Sequence, residues 1–199
     1  MEAFARQHDL NNLSAVRRAE RRDVLRVVLT GSESTGKSVL ARQLADHYGA
    51  ELTREFLREY AITKGSGLDF TDTEPTARGQ MALEDEHAIR AARATKLLVQ
   101  DVDLLSTVVY AHHYFGRCPE WIEQAARDRR PDLYLLLEID VPWVRDDVRD
   151  RETRREEMQQ LFRDAVAESG APYTVIRGSW EERLRLATNA IDRLLRSRA

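Results

Sequence analysis

Eight consecutive residues, Gly31-Ser32-Glu33-Ser34-Thr35-Gly36-Lys37-Ser38, carry the G-x-x-x-x-G-K-[ST] spacing of a phosphate-binding loop. Successive backbone N–H groups at a helix N-terminus make a concave anion site, and the helix dipole reinforces it. Gly31, Ser34, Thr35 and Gly36 are the loop's backbone donors and turn formers. Lys37 is expected to reach the β- and γ-phosphates of a nucleoside triphosphate, and Ser38 to hold Mg²⁺. Of the 31 basic residues only Lys37, Lys64 and Lys96 are lysines. A compact ammonium on a flexible stem fits between phosphates where a planar guanidinium does not, so a lysine at this position has a chemical reason.

Phosphoryl transfer also needs carboxylates. The run Lys96-Leu97-Leu98-Val99-Gln100-Asp101-Val102-Asp103 is apolar and ends in acid, which puts Asp101 at the carboxyl end of a strand, where open α/β sheets bind ligands. Asp103 either reaches the same cavity or caps the following helix. Glu55, just after the second predicted strand, either takes a proton or a ribose diol, or is a first-turn glutamate favouring the helix dipole. Arg58, three residues later, shares its helical face and could pair with Glu55 or a phosphate. The segment from Asp140 to Arg155 recurs in arginine about every turn, with acids interleaved. It reads as a lid closing over the triphosphate, or as an exposed helix laced with ion pairs. The five histidines show no metal-ligand spacing.

The elements that position these groups alternate apolar runs with amphipathic stretches, the pattern of a parallel sheet covered by helices. Strands are predicted over 24–30, 50–53, 97–101, 133–138 and 173–176. Helices are predicted over 37–48, 54–63, 76–94, 104–115, 119–128, 144–168 and 180–197, with a surface loop from Asp69 to Pro75. The last helix repeats Trp180, Leu184, Ala187, Ile191, Leu194 and Leu195 at helical spacing, a stripe expected to pack on the sheet. The fold class is therefore α/β: a P-loop NTPase with a parallel sheet of about five strands, helices on both faces and a helical lid. Residues 1–22 read as a polar N-terminal extension and 23–199 as one P-loop kinase domain.

Composition narrows the partners. A net charge of −3 gives no reason to expect nucleic acid. One cysteine, Cys118, excludes an internal disulfide and suits a cytoplasmic location. No apolar run approaches the roughly 20 residues that span a bilayer. Homo-oligomerisation is left open.

Several blocks occur in order: G-S-E-S-T-G-K-S, R-E-F-L-R-E-Y, Gly79-Gln80-Met81-Ala82-Leu83, V-Q-D-V-D with Thr107, and D-V-P-W…R. Together they resemble the ribosylnicotinamide kinase domain of NadR-type NAD-salvage proteins, from about Arg26 to the C-terminus. The resemblance implies phosphoryl transfer from ATP to the 5′-hydroxyl of nicotinamide riboside, giving nicotinamide mononucleotide. By position it implies Lys37, Glu55, Asp101 and Arg149 as catalytic, with Ser38 and Asp101 at the Mg²⁺. It implies Glu55, Gln80, Asp103 and Trp143 as substrate-binding. Arg54 stands where related sequences carry an aromatic that could stack on the nicotinamide ring, and Phe56, Tyr60 or Trp143 are the substitutes. Asp147 stands where a glycine is common. Only 22 residues precede the first strand, so adenylyl transfer and DNA binding are not expected. The rival readings are a kinase for another nucleoside or ribosyl compound, and an ATPase or nucleotide-dependent regulatory switch.

Overall fold

The computed structural model describes residues 23–141 and 155–198. Among them run strands β1 (Leu25–Thr30), β2 (Glu51–Thr53), β3 (Leu97–Asp101), β4 (Leu133–Leu137) and β5 (Tyr173–Ile176). The helices are α1 (Lys37–Tyr48), α2 (Phe56–Lys64), α3 (Thr73–Ala92), α4 (Leu104–Phe115), α5 (Glu120–Asp128), α6 (Arg155–Ser169) and α7 (Trp180–Arg198). The strands form one sheet in the order β2-β3-β1-β4-β5. Every pairing is parallel.

The strands are apolar without alternation because both sheet faces are covered. Val27 and Leu29 face one core with Leu40 and Leu44 of α1 and Ala187 and Ile191 of α7. Val28 faces the other with Tyr134, Leu136 and Val109 of α4, and Met158, Phe162 and Val166 of α6. The central strand therefore has a helix layer on each side, and the loop leaving it lies at the carboxyl edge of the sheet. Val27, Val28 and Leu29 are essentially inaccessible to solvent.

Strand and helix boundaries agree with the predicted ones to within a residue or so over most of the chain, with three corrections. The run Asp69 to Pro75 is not a loop. Asp69 accepts from the Thr71 N–H while the Asp72 side chain accepts from the Asp69 N–H, a capping box around a 3₁₀ turn over Phe70–Asp72. α3 then begins at Thr73, and Pro75 sits in its first turn, where an N–H has no intrahelical partner anyway. α2 begins at Phe56, so Glu55 is the N-cap residue rather than a first-turn glutamate. Trp180 does not join the buried stripe of α7: it is 51% exposed, and its ring lies against Gly36. The predicted helix over 144–168 is described only as α6. The rest of the segment expected to form a lid, with Trp143, Asp147 and Arg149, lies outside the described residues, as do residues 1–22.

Candidate active site

The phosphate loop joins β1 to α1, and its shape depends on two glycines in backbone conformations that disfavour a side chain. Gly31 has φ 123°, and a Cβ there would stand 2.7 Å from the Leu137 carbonyl oxygen. Gly36 has φ 86°, and a Cβ there would stand 2.5 Å from the Trp180 ring. Lys37 keeps its ammonium inside the loop, donating to the carbonyls of Gly31 at 2.9 Å and Ser32 at 2.7 Å. Ser38, one residue into α1, is exposed.

Side chains from the two C-terminal helices hold this loop from outside. Gln159 of α6 accepts from the Ser32 N–H at 3.0 Å and donates to the Leu137 carbonyl at 3.0 Å. Arg155, the first residue of α6, donates to the Ser34 carbonyl at 3.0 Å and to the Val141 carbonyl at 3.0 Å. Arg183 of α7, with 0% of its side chain exposed, donates to the carbonyls of Thr35 at 2.9 Å, Gly178 at 3.0 Å and Glu138 at 3.0 Å, and pairs with Asp140. A buried arginine is tolerated because its fan of donors is filled. Gln159 and Arg183 were not singled out by the sequence. Their only signal is a polar residue on an otherwise apolar helix face.

Beside the loop opens a cavity of about 790 Å³. Glu33 enters it from the phosphate loop, Glu55 and Leu57 from the start of α2, and Gln80 from α3. Val102 and Asp103 enter from the turn after β3, and Ser106, Tyr110 and Tyr114 from α4. Three expected site residues thus meet here: Glu55, Gln80 and Asp103. Asp101 ends β3 opposite Leu29 of β1 and is buried, next to the strand that feeds the phosphate loop. Phe56 and Tyr60 do not line the cavity. Phe56 packs on Gly79, and the Tyr60 hydroxyl donates to Asp72. The cavity's aromatic rings come instead from Tyr110, Tyr114 and Phe115 of α4.

The acids are held by different means. Glu55 is buried and lies 3.9 Å from the Arg58 guanidinium, one helical turn away. Gln80 spans two groups: its Oε1 accepts from the Phe56 N–H at 2.9 Å, and its Nε2 donates to Glu84 at 3.5 Å. Glu84 is buried between the guanidinium groups of Arg26 and Arg129, each at 2.9 Å. The amide of Gln80 therefore ties the N-terminus of α2, and Glu55 with it, to a fixed ionic anchor. Asp103 caps α4 through the Leu105 N–H at 3.1 Å and accepts from the Tyr134 hydroxyl at 2.6 Å. Burial pushes its carboxyl up to about 6, and the Tyr134 hydrogen bond pulls the other way. Between the two aspartates Val102 has φ 74°, a left-handed conformation that is costly for a β-branched residue. That turn lets Asp101 stay on the sheet edge while Asp103 reaches the cap.

The oxygen donors Ser38 and Asp101 suit Mg²⁺, a hard cation bound through few protein ligands and substrate phosphates. Among the described residues no group of three or more His, Cys, Asp or Glu side chains converges as a metal site.

A parallel sheet in this order, with a G-x-x-x-x-G-K-S loop leaving its central strand and a cavity beside it, defines a P-loop protein of kinase-like fold. The chain belongs to the family described as AAA domain, whose model matches residues 26–183. It is 28% identical over 153 residues to the trifunctional NAD biosynthesis/regulator protein NadR of Escherichia coli (strain K12). That match covers 74% of this chain and 37% of the relative, so the chain spans well under half of that protein's length. The crystal structure of NadR protein in complex with NR is similar in fold, with a TM-score of 0.74 and 24% identity over 89% of this chain and 53% of that one. Thymidylate kinase from Ehrlichia chaffeensis is also similar, with a TM-score of 0.62 and 17% identity over 86% of this chain and 98% of that one. The NadR-type resemblance read from the ordered blocks stands.

Proposed function

We propose that this chain transfers the γ-phosphoryl group of ATP to the 5′-hydroxyl of nicotinamide riboside, giving nicotinamide mononucleotide. The observation that carries this reading is the charge of the acceptor cavity. Its lining includes Glu33, Glu55, Asp69, Asp72 and Asp103, and among the described residues no arginine, lysine or histidine lines it. Lys64 lies nearby, but its ammonium is committed to Asp69 and Asp72. A nucleoside monophosphate would bring a dianion against these carboxylates, whereas a pyridinium riboside brings a positive charge. The acidic lining thus favours an unphosphorylated acceptor over the nucleotide acceptor that the thymidylate kinase likeness also raises.

In this mechanism the phosphate loop grips the triphosphate and Lys37 meets its β/γ oxygens. Ser38 and Asp101 would hold Mg²⁺, which when bound neutralises charge on the phosphates. Glu55, anchored through Phe56 and Gln80, orients the 5′-hydroxyl and accepts its proton as the oxygen attacks. Asp103, capping α4, keeps the cavity's far wall in place. Arg149 and Trp143, outside the described residues, are proposed for the lid, Arg149 toward the migrating phosphoryl group and Trp143 toward the acceptor.

The test is ADP release from Mg·ATP with and without nicotinamide riboside. Slow background hydrolysis and rapid riboside-dependent release are expected. Strong hydrolysis without riboside would favour an ATPase or switch instead. Response only to another member of a nucleoside panel would reassign the acceptor.

A further inference from the structure

Glu33 is the third residue of the phosphate loop, and a carboxylate there is the wrong charge for a triphosphate. The fold turns it away from the donor. Glu33 is 6% exposed and lines the acceptor cavity. Its Oε2 accepts from the Tyr110 hydroxyl at 3.3 Å and from the Ser32 hydroxyl at 3.4 Å. Both contacts are long, both donors are neutral, and no cation among the described residues pairs with it. A carboxylate offers about four lone-pair sites, so among the described residues much of its accepting capacity is left for a ligand in the cavity it lines.

A second group in the same cavity shows the same deficit. Ser106 is 3% exposed, lines the cavity, and its Oγ has no hydrogen-bond partner among the described residues. Ser106 and Tyr110 are four residues apart on α4 and share one helix face. Tyr110 is fixed in turn by a parallel stack on Tyr114, with centroids 6.1 Å apart, and by an edge contact with Phe162 at 5.5 Å. An acceptor-only carboxylate and a buried hydroxyl thus line one cavity, with a rigid phenol that touches the carboxylate one helical turn from the hydroxyl. A vicinal diol supplies what they can take: two O–H donors for Glu33 and an oxygen lone pair for the Ser106 hydroxyl.

We propose that Glu33, with Ser106 and Tyr110, recognises the sugar hydroxyls of the acceptor and makes the site specific for ribosides over sugars without the 2′,3′-diol. This rests on the kinase reading above and adds to it a residue of the donor loop that reads the acceptor. Because Glu33 and Lys37 belong to one loop, acceptor recognition and phosphate binding are built on the same eight residues.

The experiment compares kcat/KM for nicotinamide riboside and for its 2′,3′-dideoxy analogue, with the KM for Mg·ATP measured alongside. The native chain is expected to prefer the riboside by about 100-fold, the range of two charge-assisted hydrogen bonds. Glu33→Gln is expected to compress that preference at least about tenfold by slowing the riboside, with the KM for Mg·ATP unchanged within about threefold. Ser106→Ala compresses it less, in the same direction. Equal loss on both substrates, or a raised KM for Mg·ATP with the preference intact, would show that Glu33 serves only the phosphate loop and would overturn the inference. A native chain that phosphorylates both substrates equally overturns it too, while leaving the kinase reading in place. A native chain that phosphorylates neither overturns the kinase reading itself. Should Glu33→Gln not fold, Glu33→Asp and Ser106→Ala carry the same comparison.

Discussion

Glu55 is the residue proposed to take the acceptor's proton, and its position follows from its backbone rather than from its charge. As N-cap of α2 it makes no side-chain capping bond, so its carboxylate is not spent on the helix end. Glu55→Ala is expected to leave ATP binding within about twofold and to lower kcat by about 10²- to 10⁴-fold, the range for losing a general base. Equilibrium binding of a fluorescent ATP analogue beside steady-state turnover checks both halves. If turnover survives, the proton goes elsewhere, and Asp101 is the next residue to test. At this scale the donor side was legible in the sequence, because eight adjacent residues define it. Glu33 was read only as a variable position of the loop. Nothing local tells which way a loop carboxylate turns, since that depends on Tyr110, far along the chain.

At the scale of elements, the cavity wall depends on how closely α2 approaches α3. Gly79 of α3 makes that approach: a Cβ there would stand 2.1 Å from the Phe56 ring. In an exposed helix, Gly to Ala gains up to about 1 kcal/mol of helix propensity. Here the added methyl pushes Phe56, and Glu55 beside it, away from the site. Gly79→Ala is therefore expected to lower acceptor kcat/KM by about 10²-fold with nucleotide binding retained, because small misplacements of a reacting group are that costly. Kinetics with varied riboside at saturating ATP would show it, and unchanged kinetics would mean that α2 accommodates the methyl. The helices themselves were visible as amphipathic periods. The start of α3 was not, because Asp69 to Pro75 is rich in residues that usually mark loops. Its capping box and an N-terminal proline turn the same residues into a helix start.

Across the whole molecule, the C-terminal helices hold the phosphate loop on its sheet. Arg183→Met leaves the buried Thr35 carbonyl and two half-buried carbonyls without their donor and the exposed Asp140 without its partner, and is expected to cost about 2–3 kcal/mol of stability. Chemical denaturation would measure it, with a weakened affinity for ATP as the functional sign. Asp140 reports the same joint through pH. Burial raises its pKa, but the Gly178 N–H and the Arg183 guanidinium outweigh that and hold the carboxyl below its usual range. Its folded value is lower than its unfolded one, so its stabilisation is present above about pH 4 and is lost as pH falls through the folded value. Asp140→Asn is accordingly expected to lower Tm at pH 7 relative to the native chain, with the gap closing as pH falls below the usual carboxylate range. A gap that persists in acid would assign the effect to something other than this carboxylate. The sequence by itself determined the donor loop, the strand-end acid Asp101 and the alternation that makes a parallel sheet. Each is a local or periodic pattern set by neighbours along the chain. Only the tertiary structure decided that Glu33 lines the cavity, that Gln80 ties down the start of α2 beside Glu55, and that Gln159 and Arg183 clamp the phosphate loop. Those contacts join residues 24 to 148 positions apart, and the cost of burying an unpaired polar group, rather than any motif, selects them.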